Sequence, residues 1–291
     1  MDREALKKRP AVWRRPIAIA VFVALSLGAI ATSLVSRRSY DPQRPSQHSV
    51  EEPASGSHRT TNSSACPQRR EWRTLSLSDQ QAYITAVLCL RSQPSTLAPA
   101  SIETAYDDFP WIHSHVGYFT HNSAPFLPWH RYLLHIYETT LREKCGYEWS
   151  LVYWDWTLDS GALELSTVFD AETGFGGDCQ VGGAITVGRS GRCVVDGPFA
   201  GVSADYYDVK YGPHCLSRGF RDLDGKLGHI DGHDISPGSI DEVLSLGDYE
   251  SFVALMESRV HDAIPFGIGG GFETFTAPYG ISTARAEHAL C

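Results

Sequence analysis

Three histidines, His113, His121 and His130, recur at intervals of eight and nine between Tyr106 and Arg131. Their neighbours are aromatic or apolar: Phe109-Pro110-Trp111-Ile112 precedes His113, and Phe126-Leu127-Pro128-Trp129 precedes His130. Neutral imidazole is the commonest side-chain metal ligand, and it suits copper. An apolar surround keeps water off a metal and tunes its redox behaviour. One histidine on an apolar stripe reads as a core residue; three at close range read as a ligand set.

Helices must carry these side chains. Ser78-Asp79-Gln80-Gln81 resembles a capping box, and Tyr83, Ala86, Val87 and Leu90 follow at helical spacing. The pattern predicts a helix over 78–91, ended by Gln93-Pro94. A second helix is expected over 101–115 with a kink at Pro110; His113 and His115, two apart, point to opposite sides. The third, over 128–145, has Pro128 at its first position and Gly146 at its end. His130, Leu133, Leu134, Tyr137 and Leu141 share one of its faces. A fourth runs over 248–264 from Asp248, a good N-cap, with Tyr249, Phe252, Val253, Met256 and Val260 as its stripe and Pro265 as its stop. Residues 159–240 are rich in Gly and Asp and predict long loops pinned by disulfides such as Cys179–Cys193. Cys66 and Cys89 bracket the first helix as another candidate pair. Tyr153-Trp154-Asp155-Trp156 reads as core. His229 and His233 are four apart, but in a loop sequence that spacing means little.

Composition bounds the rest. The chain has 291 residues, 42% hydrophobic and 20% charged, which suits one domain with a real core behind an N-terminal segment. Eight of the 25 basic residues and two of the 34 acidic ones precede residue 39, which leaves 17 and 32 behind them, a net −15. That charge repels nucleic acid. Residues 1–16 read as a short basic cytoplasmic tail and 17–36 as a transmembrane signal anchor. Ile17 to Val35 is free of charge and flanked by Arg14-Arg15 and Arg37-Arg38. A cleaved signal peptide is the alternative, with Ala29-Ile30-Ala31 at its end. Both routes lead to the secretory pathway, as a single-pass membrane protein or a secreted one, and the seven cysteines fit an oxidising compartment. Residues 37–65 read as a disordered stalk bearing the sequon Asn62-Ser63-Ser64. The folded domain is expected over 66–291.

Together these segments resemble the tyrosinase family of copper oxidases in its fungal tyrosinase-like form, over about residues 66 to 279. The resemblance places the three ligands of the first copper on His113, His121 and His130, with the family's aromatic-Leu-x-Trp-His-Arg signature at Phe126 to Arg131. Tyr153 to Trp156 is similar to the Pro-Tyr-Trp-Asp-Trp segment, with Val152 in the proline's place. Gly197-Pro198-Phe199 and Gly212-Pro213-His214-Cys215-Leu216 also match. Phe119 stands where some relatives carry a thioether cysteine, so no thioether is expected. The implied fold is mainly α, a four-helix bundle with copper ligands projecting inward and long disulfide-pinned loops. The implied activity is oxidation of phenols or catechols to o-quinones with dioxygen.

At the second copper the sequence departs from the family. His261 matches the first ligand, followed by Asp262 where Asn is frequent. The ligand expected four residues on is Pro265, which has no donor atom. Thr276-Ala277-Pro278-Tyr279 begins the segment that precedes the third ligand, but Gly280 to Cys291 does not continue it. His288 is a weak substitute, and Cys291 is the odd thiol. Two readings follow. In one, the chain is a phenol oxidase with an intact first copper site and an incomplete second one, and little activity as written. In the other, it is a catalytically inactive membrane-anchored scaffold or single-copper binder. A domain whose histidines are merely structural is the bland third reading.

Overall fold

The computed structural model describes residues 68–97 and 103–278. The expected tail, membrane segment and stalk lie outside them, as do Cys66, His288 and Cys291. Among the described residues no helix is long and apolar enough to cross a membrane.

Among the described residues, six α-helices frame the domain: α1 (Leu77–Cys89), α2 (Ala105–Thr120), α3 (Phe126–Cys145), α4 (Pro237–Leu244), α5 (Tyr249–Leu255) and α6 (Asp262–Ile268). Helix α3 packs against both α1 and α2. The first cap lies two residues earlier than the capping-box reading. Ser76, not Ser78, closes the N-terminus of α1, accepting the Asp79 amide. Thr104 caps α2 in the same way, and the helix runs on through Pro110 to Thr120, five residues past the expected end. Helix α3 begins at Phe126, which puts Pro128 in its first turn rather than at its first position. Proline is tolerated there because first-turn amides have no helical acceptor. Gly146 ends α3 in the left-handed region at φ 66°, as expected.

The fourth expected helix is real and carries a π turn. Asp248 caps α5 through the Ser251 amide. A π-helical turn, Met256–His261, then inserts before α6. The Asp262 amide reaches back five residues to the Glu257 carbonyl, the wider winding common at functional sites. Pro265 does not stop the helix: it lies inside α6, which ends at Gly269, φ 71°. The prediction failed because one proline removes a single N–H donor and need not end a helix, and the π turn just before it has already changed the hydrogen-bond register.

The region 159–240 holds more structure than loops alone. Short strands β1 (Arg192–Cys193) and β4 (Ser217–Arg218) pair antiparallel, as do β2 (Ser203–Tyr207) and β3 (Lys210–Cys215). Both proposed disulfides are corrected. Cys193 bonds to Cys215, not Cys179, because pairing of β1 with β4, which directly follows β3, brings the two Cα atoms to 5.3 Å. Cys89 bonds to Cys145, because α1 and α3 lie side by side with their C-terminal ends together. Cys179 carries a free thiol.

The core is aromatic. Trp72, Tyr83, Tyr137, Trp154 and Phe175 are all buried, and the Trp72 and Phe175 rings lie 4.9 Å apart. Tyr153 to Trp156 supplies two of these core walls, Trp154 and Trp156, as the sequence suggested. Arg218 is buried and donates to the carbonyls of Phe175, Gly176 and Gly177, which pins that loop to β4.

Candidate metal centre

Helix α2 supplies His113 from its third turn and His121 at its C-cap, eight residues on. Helix α3 supplies His130 from its second turn. The three present nitrogens within 4.8 Å of one another, and Nε2 of His113 and Nε2 of His130 are 3.1 Å apart. His113 and His130 are buried and His121 is half-buried.

The backbone fixes the tautomers. Nδ1 of His113 bonds the Phe275 carbonyl at 2.6 Å, Nδ1 of His121 the Gly117 carbonyl at 3.0 Å, and Nδ1 of His130 the Phe126 carbonyl at 2.7 Å. A carbonyl only accepts, so each Nδ1 carries the proton. Each Nε2 then presents a lone pair toward the other two rings. Burial, reinforced by the neighbouring imidazoles, lowers the ring pKa values to about 3 for His113, about 4 for His121 and about 2 for His130. The rings are therefore neutral at physiological pH. Three neutral lone pairs converging without a shared proton repel one another, and a soft cation removes that repulsion. Carbonyl-held Nδ1–H groups are the usual support of a metal-ligating imidazole. The residues present fit one copper ion.

His261 faces the same space from the end of the π turn, its ring centroid 5.7 Å from that of His121 and 6.2 Å from that of His130. Its Nδ1 lies 3.1 Å from Asp262 Oδ1. It stands outside the close triad, which is the one such donor group among the described residues. Pro265 lines the same cavity and brings no donor. Of the other described histidines, His115 stacks on Trp111 at 4.1 Å, His229 bonds Glu164, and His233 is exposed.

The centre opens into a cavity of ≈ 480 Å³ walled by α2, α3, the π turn, α6 and the strap Glu273–Pro278, a size that takes a small aromatic molecule. Two contributors, Phe275 and Glu257, went unread in the sequence. Phe275 roofs the site: its ring lies 4.8 Å from His121 and 6.0 Å from His113, over Gly117, where a Cβ would come within 2.7 Å of that ring. Glu257 accepts the Asn122 amide with both carboxylate oxygens, at 2.8 and 2.7 Å, and so holds the turn after His121, where Asn122 sits at φ 50°. Its place four residues before His261 was the one available signal.

The common central domain of tyrosinase matches residues 103–279. A tyrosinase-like protein of Diaporthe leptostromiformis is 47% identical over 239 residues, covering 76% of this chain and 62% of that protein. A tyrosinase of Aspergillus flavus is 44% identical over 226 residues, covering 77% of this chain and 62% of that protein. The chain thus spans less than two thirds of the length of these curated relatives. Among solved structures, a polyphenol oxidase from Thermothelomyces thermophila superposes with a TM-score of 0.63 at 26% identity, covering 74% of this chain and 66% of that one. With the histidine triad, its supporting carbonyls and these matches in agreement, the chain belongs to the tyrosinase family.

Proposed function

We propose that the domain is a phenol-oxidase-type copper protein whose firmly built site holds one copper on His113, His121 and His130. The observation that carries this reading is the set of three Nδ1-to-carbonyl hydrogen bonds, which turns three Nε2 lone pairs toward a common point. Copper held there by the three Nε2 atoms would supply one-electron redox chemistry. The cavity beside it holds a phenol or catechol ring against Phe109, Leu133, Leu134 and Phe275 and shuts water from the ring. The family's oxidation to an o-quinone removes two electrons, so it calls for a second copper. Of the donors that would hold it, the described residues show His261 alone. A single imidazole is a weak site, because two or three donors are the usual minimum. We therefore expect about one copper per chain and little or no o-quinone formation by the chain as given. Elemental analysis of the purified protein, with oxygen uptake on a catechol, tests this. Two tightly held ions and strong o-quinone formation would overturn it.

Pro265 favours a second reading, a single-copper binder or scaffold without oxidase activity, because it fills the cavity wall where a second imidazole would stand. A phenotype unchanged by His113→Ala would favour a role without copper. We further propose that the domain matures in the secretory pathway, tethered or released according to the fate of residues 17–36. The two disulfides among the described residues support an oxidising compartment, and protease protection of the domain in sealed microsomes tests it.

A further inference from the structure

Four carboxylates line the cavity (Asp208, Glu257, Asp262 and Glu273) and no described lining residue is Lys or Arg. Each has a different situation. Burial raises the Glu257 pKa toward its neutral form, and both its oxygens are engaged by the Asn122 amide. Asp262 faces His261. Asp208 accepts the Tyr118 hydroxyl at 3.3 Å at the rim. Glu273 is the exception. Its side chain is 7% exposed, and Oε2 accepts both the amide and the Nε of Arg189, at 3.2 and 3.4 Å. Its Oε1 is buried with no hydrogen-bond partner among the described residues. An oxygen shut off from water and left without a donor is costly, and such an orphan calls for a missing group.

A metal ion does not account for Glu273, since the only donors that converge closely among the described residues are the three histidines. Glu273 and Asp208 both line the cavity, and both lie close enough to Tyr207 to push its phenol up after burial has done so. Beside them the exposed Tyr118 ring packs edge-on against Phe275 at 4.7 Å. Arg189 pairs with Glu273 Oε2 from outside the cavity lining, which leaves Oε1 and the Asp208 carboxylate to attract a cation in low-dielectric walls, and an aromatic face adds cation–π attraction.

We infer that the cavity rim is an ammonium subsite, in which Glu273, with Asp208 and the Tyr118 ring, selects phenols that carry a protonated amine over phenols that carry a carboxylate. The phenol ring lies toward the histidines and the amine toward Glu273. The inference rests on the phenol-oxidase reading for the identity of the ring, and its test does not depend on turnover.

The full chain, copper-free and copper-loaded, is titrated by calorimetry with tyramine, neutral para-ethylphenol and anionic para-hydroxyphenylpropionate. Tyramine is expected to bind about tenfold more tightly than para-ethylphenol, the size of one charge-assisted hydrogen bond, and the anion more weakly than either. Glu273→Gln is expected to erase the tyramine advantage and leave para-ethylphenol unchanged. Equal affinities, no binding of any probe, or an advantage that survives in folded Glu273→Gln overturns the inference. So does loss of copper from that variant, which would make Glu273 a metal donor. Should Glu273→Gln fail to fold by circular dichroism, Asp208→Asn is read instead: a smaller tyramine advantage supports the subsite and an unchanged one overturns it. Tyramine bound without o-quinone formation leaves the subsite standing and counts against the oxidase reading alone. Activity without charge preference does the reverse.

Discussion

His113 and Phe275, 162 residues apart, are joined by a 2.6 Å hydrogen bond between the imidazole Nδ1 and the peptide carbonyl. The first histidine of the candidate metal centre on α2 and α3 is thus oriented by the strap after α6. The same strap presents the Phe275 ring to His121 and Tyr118. The metal centre and the end of the described chain are one structural unit.

Removing one triad imidazole leaves two donors for the copper. His130→Gln is expected to lower copper content from about one ion per chain to a small fraction of that after dialysis, since ligand number sets affinity at such sites. Full retention of copper by the folded variant would count against the triad as the metal centre.

Gly117 lies beneath the roof. A Cβ there would come within 2.7 Å of the Phe275 ring, so Gly117→Ala forces the strap outward. Overpacking of this kind costs about 1–3 kcal/mol, and displacing the carbonyl that orients His113 is expected to weaken copper binding about tenfold or more, as losses of such supporting contacts do. Thermal unfolding and a copper competition titration read the two effects. An unchanged copper affinity would show that the carbonyl contact is dispensable.

The cavity offers a gain-of-function test. Pro265 and His261 line one wall, and residues four apart on a helix share a face. Pro265→His is expected to raise bound copper above one ion per chain by adding a second imidazole beside His261. Copper content fixed at one would mean that donors beyond these two are required.

Acid should destabilise the copper-free protein. Burial first, then the neighbouring rings, depresses the folded-state pKa of His113 to about 3, His121 to about 4 and His130 to about 2. In the unfolded chain each returns to about 6.5. Below pH 6.5 the unfolded state binds more protons, so stability is whole above that value and falls as pH drops toward 4. Urea denaturation at pH 7 and pH 5 is expected to show a loss on the order of 3 kcal/mol, smaller once copper occupies the site. A flat profile would mean that the rings are not buried as neutral bases.

The Cys89–Cys145 bond closes a separation of 56 residues between α1 and α3. In a chain-entropy model a link of that span is worth about 4 kcal/mol, so the double Cys89→Ala, Cys145→Ala variant is expected to unfold at markedly lower denaturant. Cys179→Ala should change little, since that thiol is unbonded.

Much of this was legible from residue order, because local spacing maps directly onto helix geometry. The eight-residue step from His113 to His121, the apolar stripe around His130 and the Asp248 cap each depend on neighbours within a few turns. The triad, the core role of Trp154 and the missing donor at Pro265 followed from the chain and its family resemblance. The disulfide partners did not, because proximity in sequence favoured Cys66 with Cys89 and Cys179 with Cys193, whereas helix packing and strand pairing set the bonded distances. The π turn in the last helix was hidden for a related reason: it is a change of hydrogen-bond register that apolar periodicity does not encode. The sequence by itself picked out the three histidines that converge on a candidate metal position. Only the tertiary structure decided how they meet it, since the carbonyl that orients His113, the ring that roofs the site and the unpartnered oxygen of Glu273 all arrive from about 150 residues away in the chain, where no local pattern links them to the triad.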